Sequence, residues 1–209
     1  MTSILLADDH PMFSQGLRTI LEREGFDITA EATDGQQAAR LARQHNPDIA
    51  ILDVSMPLLN GIDAAREIQK RTPRTQVIIL TMYDDEAYVM EALRAGIRGY
   101  VLKAQAASAC VIAIREVLRG AVYLSPGISQ TVVDAYMGKS TLSKELLTDR
   151  ERQVLQLVAE GKTTKQIAVV LSISVKTAES HRTRMMSKLD IHGTAGLVCY
   201  AIRRGLVKL

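Results

Sequence analysis

Residues 49–61 read IAILDVSMPLLNG, and this stretch decides how the first half of the chain folds. Its apolar, mostly β-branched start predicts a buried strand. Pro57 and Gly61 then break the chain before a new helical pattern begins. The strand carries a single carboxylate, Asp53, at its end. An isolated aspartate in such a place often only caps a turn, so its interpretation depends on which other side chains lie nearby.

The same alternation of strand and helix continues on both sides of that stretch. We predict strands at Ser3–Ala7, Asp27–Ala32, Ile49–Asp53, Gln76–Thr81 and Gly99–Lys103. We predict helices at Pro11–Glu24, Gly35–His45, Gly61–Arg71, Asp85–Ala95 and Ser108–Arg119. This pattern predicts an α/β domain with a doubly wound, five-stranded parallel sheet covered by helices on both faces. Right-handed crossovers favour the flavodoxin-like order 2-1-3-4-5.

Side chains that can carry chemistry fall at the carboxyl ends of these strands. They are Asp8, Asp9, Asp53, Thr81 and Lys103. Ligands of such sheets bind beyond the strand ends, so we expect these side chains at one rim. Crowded carboxylates repel one another unless a cation lies between them, and oxygen ligands suit Mg²⁺. A lysine and a threonine can then bind phosphate oxygens.

Each of these residues also has a purely structural explanation. Asp8 and Asp9 can cap the following helix, Lys103 can be a surface charge, and Thr81 can simply end a strand. Tyr100, in the last predicted strand, can be a core residue. The combination, with one member at each expected strand end, favours a phosphoacceptor site.

This half of the sequence resembles the CheY-like receiver domain of two-component response regulators. The matching residues are Asp8-Asp9, Asp53 with Met56-Pro57 and Asn60-Gly61, Thr81, and Gly99-Tyr100-Val101-Leu102-Lys103. The resemblance implies that Asp53 is the phosphoacceptor. It also implies a site for Mg²⁺ (or Mn²⁺) formed by Asp53, Asp9 and, through water, Asp8. The backbone carbonyl of Ser55 would complete the protein's ligands.

The resemblance further implies a switch beside the phosphoacceptor. Lys103 would pair with the phosphoryl group, while Thr81 would move toward it and let Tyr100 turn inward. The family often has proline after the lysine, where this chain has Ala104, and the geometry of that bond stays open. Ser55 stands where a phosphatase would need an acid or base, so we expect a switch with at most slow autodephosphorylation, not an enzyme.

Composition divides the chain into three parts. Turn-forming residues at 125–127 and 138–141 flank a short helical pattern at Ile128–Met137. We therefore expect a receiver domain at 1–120, a linker with a short helix at 121–146 and a second domain at 147–209. Residues 1–125 hold 13 Lys and Arg against 16 Asp and Glu, whereas residues 147–209 hold 11 against 5. The basic second domain favours a polyanionic partner.

The last part of the chain has the pattern of a four-helix domain. A helix after Leu147-Thr148 ends at Gly161, and a short one at 163–171 is joined by a tight turn to Val175–Leu189. This predicts a helix-turn-helix whose second member is the recognition helix. The predicted DNA contacts are Lys165, Lys176, Thr177, Glu179, Ser180, Arg182, Thr183, Arg184 and Lys188. The alternative is a solvated, charged helix that reads no DNA.

This segment resembles the LuxR-type helix-turn-helix of NarL/FixJ-type response regulators. The matching residues are Leu147-Thr148, Arg150-Glu151, Glu160-Gly161, Gln166-Ile167-Ala168, Leu171, Lys176-Thr177, His181 and Lys188-Leu189. The resemblance implies that a fourth helix, Thr194–Arg204, contributes to dimerisation on DNA.

The two halves together predict a response regulator. A sensor histidine kinase would phosphorylate Asp53 and thereby control sequence-specific binding to double-stranded DNA and transcription, with a homodimer forming on phosphorylation or on DNA. One rival is a metal-dependent phosphohydrolase with an appended helical domain. Another is a regulator that senses a small organic ligand, for which the expected rim is too polar.

Hydropathy and cysteine content predict the compartment. No apolar run approaches the roughly 18 residues that a membrane span needs, and the N-terminus has no signal-peptide pattern. We therefore expect a soluble, cytoplasmic protein without a membrane partner. Cys110 and Cys199 lie in helical patterns without CxxC spacing, so we expect both to be reduced apolar fillers.

Overall fold

The structure is a computed structural model, and it describes residues 1–82, 86–136, 147–204 and 206–207. These residues form two compact units, the first drawn mainly from the chain up to Tyr136 and the second mainly from Leu147 onward. Within the described part, no helix is long and apolar enough to cross a membrane. Two predicted helix ends lie outside the described residues: the start of one helix at Asp85 and the end of another at Met137. The rest of the predicted linker, residues 138–146, also lies outside them.

A parallel sheet forms the centre of the first unit. Its strands are β1 (Ser3–Ala7), β2 (Asp27–Ala32), β3 (Ile49–Asp53), β4 (Gln76–Thr81), β5 (Gly99–Leu102) and β6 (Tyr123–Leu124). They lie in the order β2-β1-β3-β4-β5-β6. The order 2-1-3-4-5 is therefore confirmed, but the sheet has six strands and not five. Strand β6 has only two residues, which are too few to show a periodic pattern, so the sequence could not predict it.

Helices cover both faces of this sheet. They are α1 (Pro11–Arg23), α2 (Gly35–His45), α3 (Gly61–Arg71), α4 (Glu86–Arg94) and α5 (Ala106–Leu118). Because helices shield both faces, Ile4, Ile49 and Ile51 in the central strands are fully buried. Strand β5 ends one residue earlier than predicted, and Lys103 instead opens a single 3-10 turn at Lys103–Gln105.

The first unit continues past α5. The amide of Tyr123 donates to the carbonyl of Arg98 (2.8 Å) and that of Ser125 to the carbonyl of Tyr100 (2.9 Å), which pairs β6 with β5. Helix α6 (Pro126–Tyr136) follows and packs against α4. The short helix predicted from Ile128 is therefore present and begins at Pro126.

The described residues of the second unit form four helices, as predicted. They are α7 (Asp149–Ala159), α8 (Thr164–Val170), α9 (Val175–Leu189) and α10 (Thr194–Arg203). Thr148 and Thr163 begin α7 and α8 with capping boxes, and the Ser174 side chain accepts from the amide of Thr177 at the start of α9. The apolar core includes Val154 and Met185, both fully buried.

The two cysteines lie in different surroundings. Neither forms a disulfide, and Cys110 in α5 is buried, whereas Cys199 in α10 is exposed. Burial raises the pKa of the Cys110 thiol to about 12, so this thiol stays protonated and packs as an apolar filler. The same expectation was wrong for Cys199, because α10 buries Leu197 and Ala201 and turns the side chain between them toward solvent.

Candidate functional site

The carboxyl ends of the central strands bring the predicted acidic residues together. Asp53 closes β3 and is 3% exposed, and Asp8 follows β1 and is 2% exposed. These strands are neighbours in the sheet, which is why residues 45 positions apart share one pocket. Thr81 closes β4 on the other side of β3 and is fully buried.

Lys103 joins the acidic residues of this pocket. Its ammonium lies 2.6 Å from Oδ2 of Asp8 and 2.9 Å from Oδ2 of Asp53. The side chain is 7% exposed, so water contributes little to its solvation. The ammonium also lies over the ring of Phe13, 4.7 Å from the centroid. A buried cation thus offsets two carboxylates that would otherwise repel each other.

His10 is a further member of the pocket to which sequence analysis assigned no role. Its Nδ1 lies 3.1 Å from Oδ1 of Asp8 and 2.8 Å from Oδ1 of Asp9. Its backbone amide donates to the same oxygen of Asp8 at 2.9 Å. The signal was the run Asp8-Asp9-His10 before Pro11, where the histidine precedes the first residue of α1.

The pocket has ligand atoms suited to a divalent cation. One potential ligand atom from each of Asp8, Asp9, His10 and Asp53 lies within 4.8 Å of the others. The hydroxyl of Ser55 is buried and, within the described residues, has no hydrogen-bond partner. Three carboxylates form a hard oxygen donor set, which fits Mg²⁺ or Mn²⁺.

Position 61, at the start of α3, requires glycine for a steric reason. A Cβ on Gly61 would lie 2.0 Å from the carbonyl oxygen of Asp53, and the Gly61 amide donates to the carbonyl of Val54 at 2.8 Å. The neighbouring Asn60 caps α3, since its side chain accepts from the amide of Asp63 at 2.9 Å. These contacts hold the start of α3 against the end of β3.

Tyr100 and Ala104 occupy the positions at which the resemblance left questions open. Tyr100 lies in β5, pairs with Ile79 and Leu124 on either side, and is 1% exposed. Its ring is therefore already buried in this structure. The bond between Lys103 and Ala104 is trans.

Helix α9 presents the predicted DNA contacts on its solvent side. Lys176, Thr177, Glu179, Ser180, Thr183, Arg184 and Lys188 are exposed, as is Lys165 on α8. Arg182 is half-buried, and its guanidinium donates to Oγ1 of Thr194 at 3.0 Å. Ala178 and Met185 face the core, so the helix has the two faces that the sequence predicts.

An ion pair and a hydrogen bond attach α7 to the helix-turn-helix. The ammonium of Lys188 lies 2.6 Å from Oε2 of Glu151, and the guanidinium of Arg150 donates to the carbonyl of Leu171 at 2.6 Å. Burial opposes ionisation of Glu151, but hydrogen bonds from Lys188 and Thr148 outweigh it and lower the pKa of this carboxyl. Sequence patterning could not identify this role of Lys188, because its partner is 37 residues away.

Comparison with known proteins covers both units. Residues 4–115 match the model of the response regulator receiver domain. Residues 145–201 match that of the bacterial regulatory proteins of the luxR family. The oxygen regulatory protein NreC of Staphylococcus epidermidis is 35% identical over an alignment of 215 positions, gaps included, that covers 98% of this chain and 99% of that protein.

Solved structures agree with these matches. A LuxR-family two-component response regulator from Aurantimonas is similar with a TM-score of 0.62 and 36% identity, covering 66% of this chain and 99% of that chain. RcsB from Salmonella enterica serovar Typhimurium, bound to the promoter rprA in the presence of the phosphomimetic BeF3⁻, is similar with a TM-score of 0.60 and 27% identity, covering 96% and 98%. The chain therefore belongs to the two-component response regulators, in which a receiver domain is joined to a LuxR-family DNA-binding domain.

Proposed function

We propose that Asp53 accepts a phosphoryl group from a sensor histidine kinase and that its phosphorylation controls DNA binding. The observation that carries this proposal is the position of Lys103, whose ammonium bridges Asp8 and Asp53 inside a buried pocket. Such a cation can offset the charge of a phosphoryl group as readily as that of a carboxylate. The expected domain bounds remain 1–120, 121–146 and 147–209, although β6 and α6 pack with the first unit.

The chemistry is a phosphoryl transfer between two side chains. A carboxylate oxygen of Asp53 attacks the phosphorus of a kinase phosphohistidine. The nitrogen–phosphorus bond breaks, its electron pair stays on the imidazole nitrogen, and an acyl phosphate forms. Lys103 lies on the same side as the Oδ2 atom of Asp53 and can donate to a phosphoryl oxygen, which lowers the cost of the charge that gathers there.

A divalent cation, Mg²⁺ or Mn²⁺, fits the carboxylate side of the pocket. We propose that Asp8, Asp9, Asp53 and the backbone carbonyl of Ser55 hold it. When bound, such an ion supplies charge neutralisation for phosphoryl oxygens. Ser55 cannot serve as a strong base for water, so the phosphorylated state decays slowly, as a switch requires.

The output of the switch follows from residues beside the pocket. We propose that Thr81 moves toward the phosphoryl group and that Tyr100 responds to this movement. Two conformations whose populations shift on phosphorylation then differ in their affinity for DNA or for a second copy. Dimerisation through the fourth helix would link two half-sites, which raises overall affinity by about 10² to 10⁴ without a new kind of contact.

The exposed face of α9 is the proposed DNA-reading surface. The proposed base-reading side chains are on this face, and Glu179 can accept from a cytosine amino group. They are Lys176, Glu179, Ser180 and Thr183. The remaining basic residues are proposed to contact phosphates. They are Lys165, Arg182, Arg184 and Lys188. Thr177 lies in the first turn of α9, where its amide is already bonded to the side chain of Ser174.

The test is phosphorylation of the full chain by acetyl phosphate with Mg²⁺, located by peptide mass spectrometry. We expect one phosphate per chain on Asp53, retained after the donor is removed, and none in Asp53→Asn. Asp34→Asn is a matched control, because Asp34 caps α2 and asparagine caps equally well. Full labelling of Asp53→Asn would contradict the proposal. Steady hydrolysis of the donor over many turnovers would favour a phosphohydrolase instead.

A further inference from the structure

The ring of Phe13 makes a contact with Lys103 that nothing in the phosphotransfer chemistry described so far explains. Its centroid is 4.7 Å from the ammonium, within the range in which a ring face attracts a cation. Phe13 is partly buried at the edge of the core of the first unit. The sequence predicts only a core position for Phe13, because its spacing to Leu17 is that of one apolar face of a helix.

Three groups share the Lys103 ammonium in this structure. Two are the Oδ2 atoms of Asp8 and Asp53, at 2.6 and 2.9 Å, and the third is the Phe13 ring. A divalent cation held by the same carboxylates would compete for their oxygens and would repel the ammonium. The ring is uncharged and does not bind a hard cation in water. Of these three contacts, the contact with the ring is therefore the one for which the divalent cation does not compete.

We propose that Phe13 is a positioning residue for Lys103. Its ring face holds the ammonium beside Asp53 when the carboxylate oxygens bind the divalent cation, and so keeps it available for the incoming phosphoryl group. This inference rests on the proposed function, because it requires that the pocket bind Mg²⁺.

The surroundings of Phe13 allow the contact to be tested by substitution. Phe13 and Lys103 line an open groove together with Met12, Gly16, Ala104 and Ser108. A change at Phe13 therefore faces a groove open to solvent and not a sealed cavity. Phe13→Leu keeps an apolar side chain and removes the ring, whereas Phe13→Tyr keeps a ring face.

The experiment is a double-mutant cycle on the affinity for beryllofluoride, a mimic of the phosphoryl group, measured at saturating Mg²⁺ by isothermal titration calorimetry on the full chain. The four proteins are the wild type, Phe13→Leu, Lys103→Met and the double variant. We expect Phe13→Leu to weaken beryllofluoride binding by about two- to thirtyfold, because the ammonium is then no longer held in place before the mimic binds, and a cation–π contact is worth this much between exposed and desolvated limits. In the Lys103→Met background the same change should have no effect, and Phe13→Tyr should restore wild-type affinity.

Two results would overturn this inference. One is an equal loss of beryllofluoride affinity from Phe13→Leu in both backgrounds, which would show a packing role. The other is no loss in either background. Labelling of Asp53 by acetyl phosphate tests the proposed function separately. If the wild type binds beryllofluoride and the cycle shows coupling but no label appears on Asp53, covalent phosphoacceptance fails while the positioning of Lys103 by Phe13 stands.

Discussion

Gly61 shows how a single missing side chain positions Asp53, the proposed phosphoacceptor. The start of α3 approaches the carbonyl of Asp53 so closely that a Cβ would lie 2.0 Å from the oxygen. Backbone atoms on both sides leave no flexible group that could move aside. The sequence indicated a chain break at this glycine, but only the packing of α3 on the end of β3 explains why no other residue fits.

We expect Gly61→Ala to destabilise the first unit by about 1–3 kcal/mol, the usual cost of forcing an extra methyl group into a packed site. Because the strain falls on the backbone of Asp53, labelling by acetyl phosphate should slow as well. Denaturant unfolding measures the first effect. Gly16→Ala is the control, since nothing lies within 4 Å of a Cβ there, and helix propensity predicts that it is neutral or slightly stabilising. Equal stability of both variants would contradict the steric explanation.

Sequence periodicity predicted the elements well and their chemical connections poorly. The strands of the first unit and the recognition helix were predicted nearly to the residue, because buried parallel strands and amphipathic helices carry strong patterns. No such pattern marks the two-residue strand β6 or the contacts of His10 and Phe13. Lys188 was predicted only as a DNA contact, yet it also pairs with Glu151 on α7.

The Glu151–Lys188 contact predicts a pH-dependent stability of the second unit. Its carboxyl has a pKa below the ordinary value of 4.5, so the folded state favours the ionised form. The stabilisation is complete above pH 4.5 and is lost as the pH falls through the lower folded-state pKa. Glu151→Gln should therefore cost about 1–3 kcal/mol at neutral pH, and the difference from the wild type should shrink in acid. Unfolding measured as a function of pH would refute this account if the difference stayed constant.

The proposed DNA-reading role of α9 predicts that a substitution there changes DNA affinity without changing phosphorylation. Arg184→Ala should weaken binding to a DNA fragment selected from random sequence and should reduce the slope of log affinity against log salt by about 0.9, the value for one phosphate contact. Phosphorylation of Asp53 should be unaffected. Lys70→Ala, which removes an exposed lysine from α3, is the control for net charge. If both variants lost the same affinity, the assignment of α9 as the reading helix would be wrong.

At the scale of the whole molecule, the sequence predicted two units with different partners from charge and motifs alone. It could predict that the acidic residues meet at one rim, because chain order in a doubly wound sheet determines which strand ends are neighbours. It left open whether Tyr100 is a core residue or turns inward only as part of a switch, and the structure buries it in β5. What joins the two units functionally is the proposed effect of a phosphoryl group on DNA binding.

DNA affinity with and without phosphodonor tests that link most directly. The fragment is selected by the phosphorylated full chain, and affinity is measured at fixed salt for the wild type and Asp53→Asn, with and without acetyl phosphate and Mg²⁺. We predict that the donor raises the affinity of the wild type and leaves that of Asp53→Asn unchanged. An equal rise in both proteins, or no change in a wild type that carries phosphate on Asp53, would contradict the account.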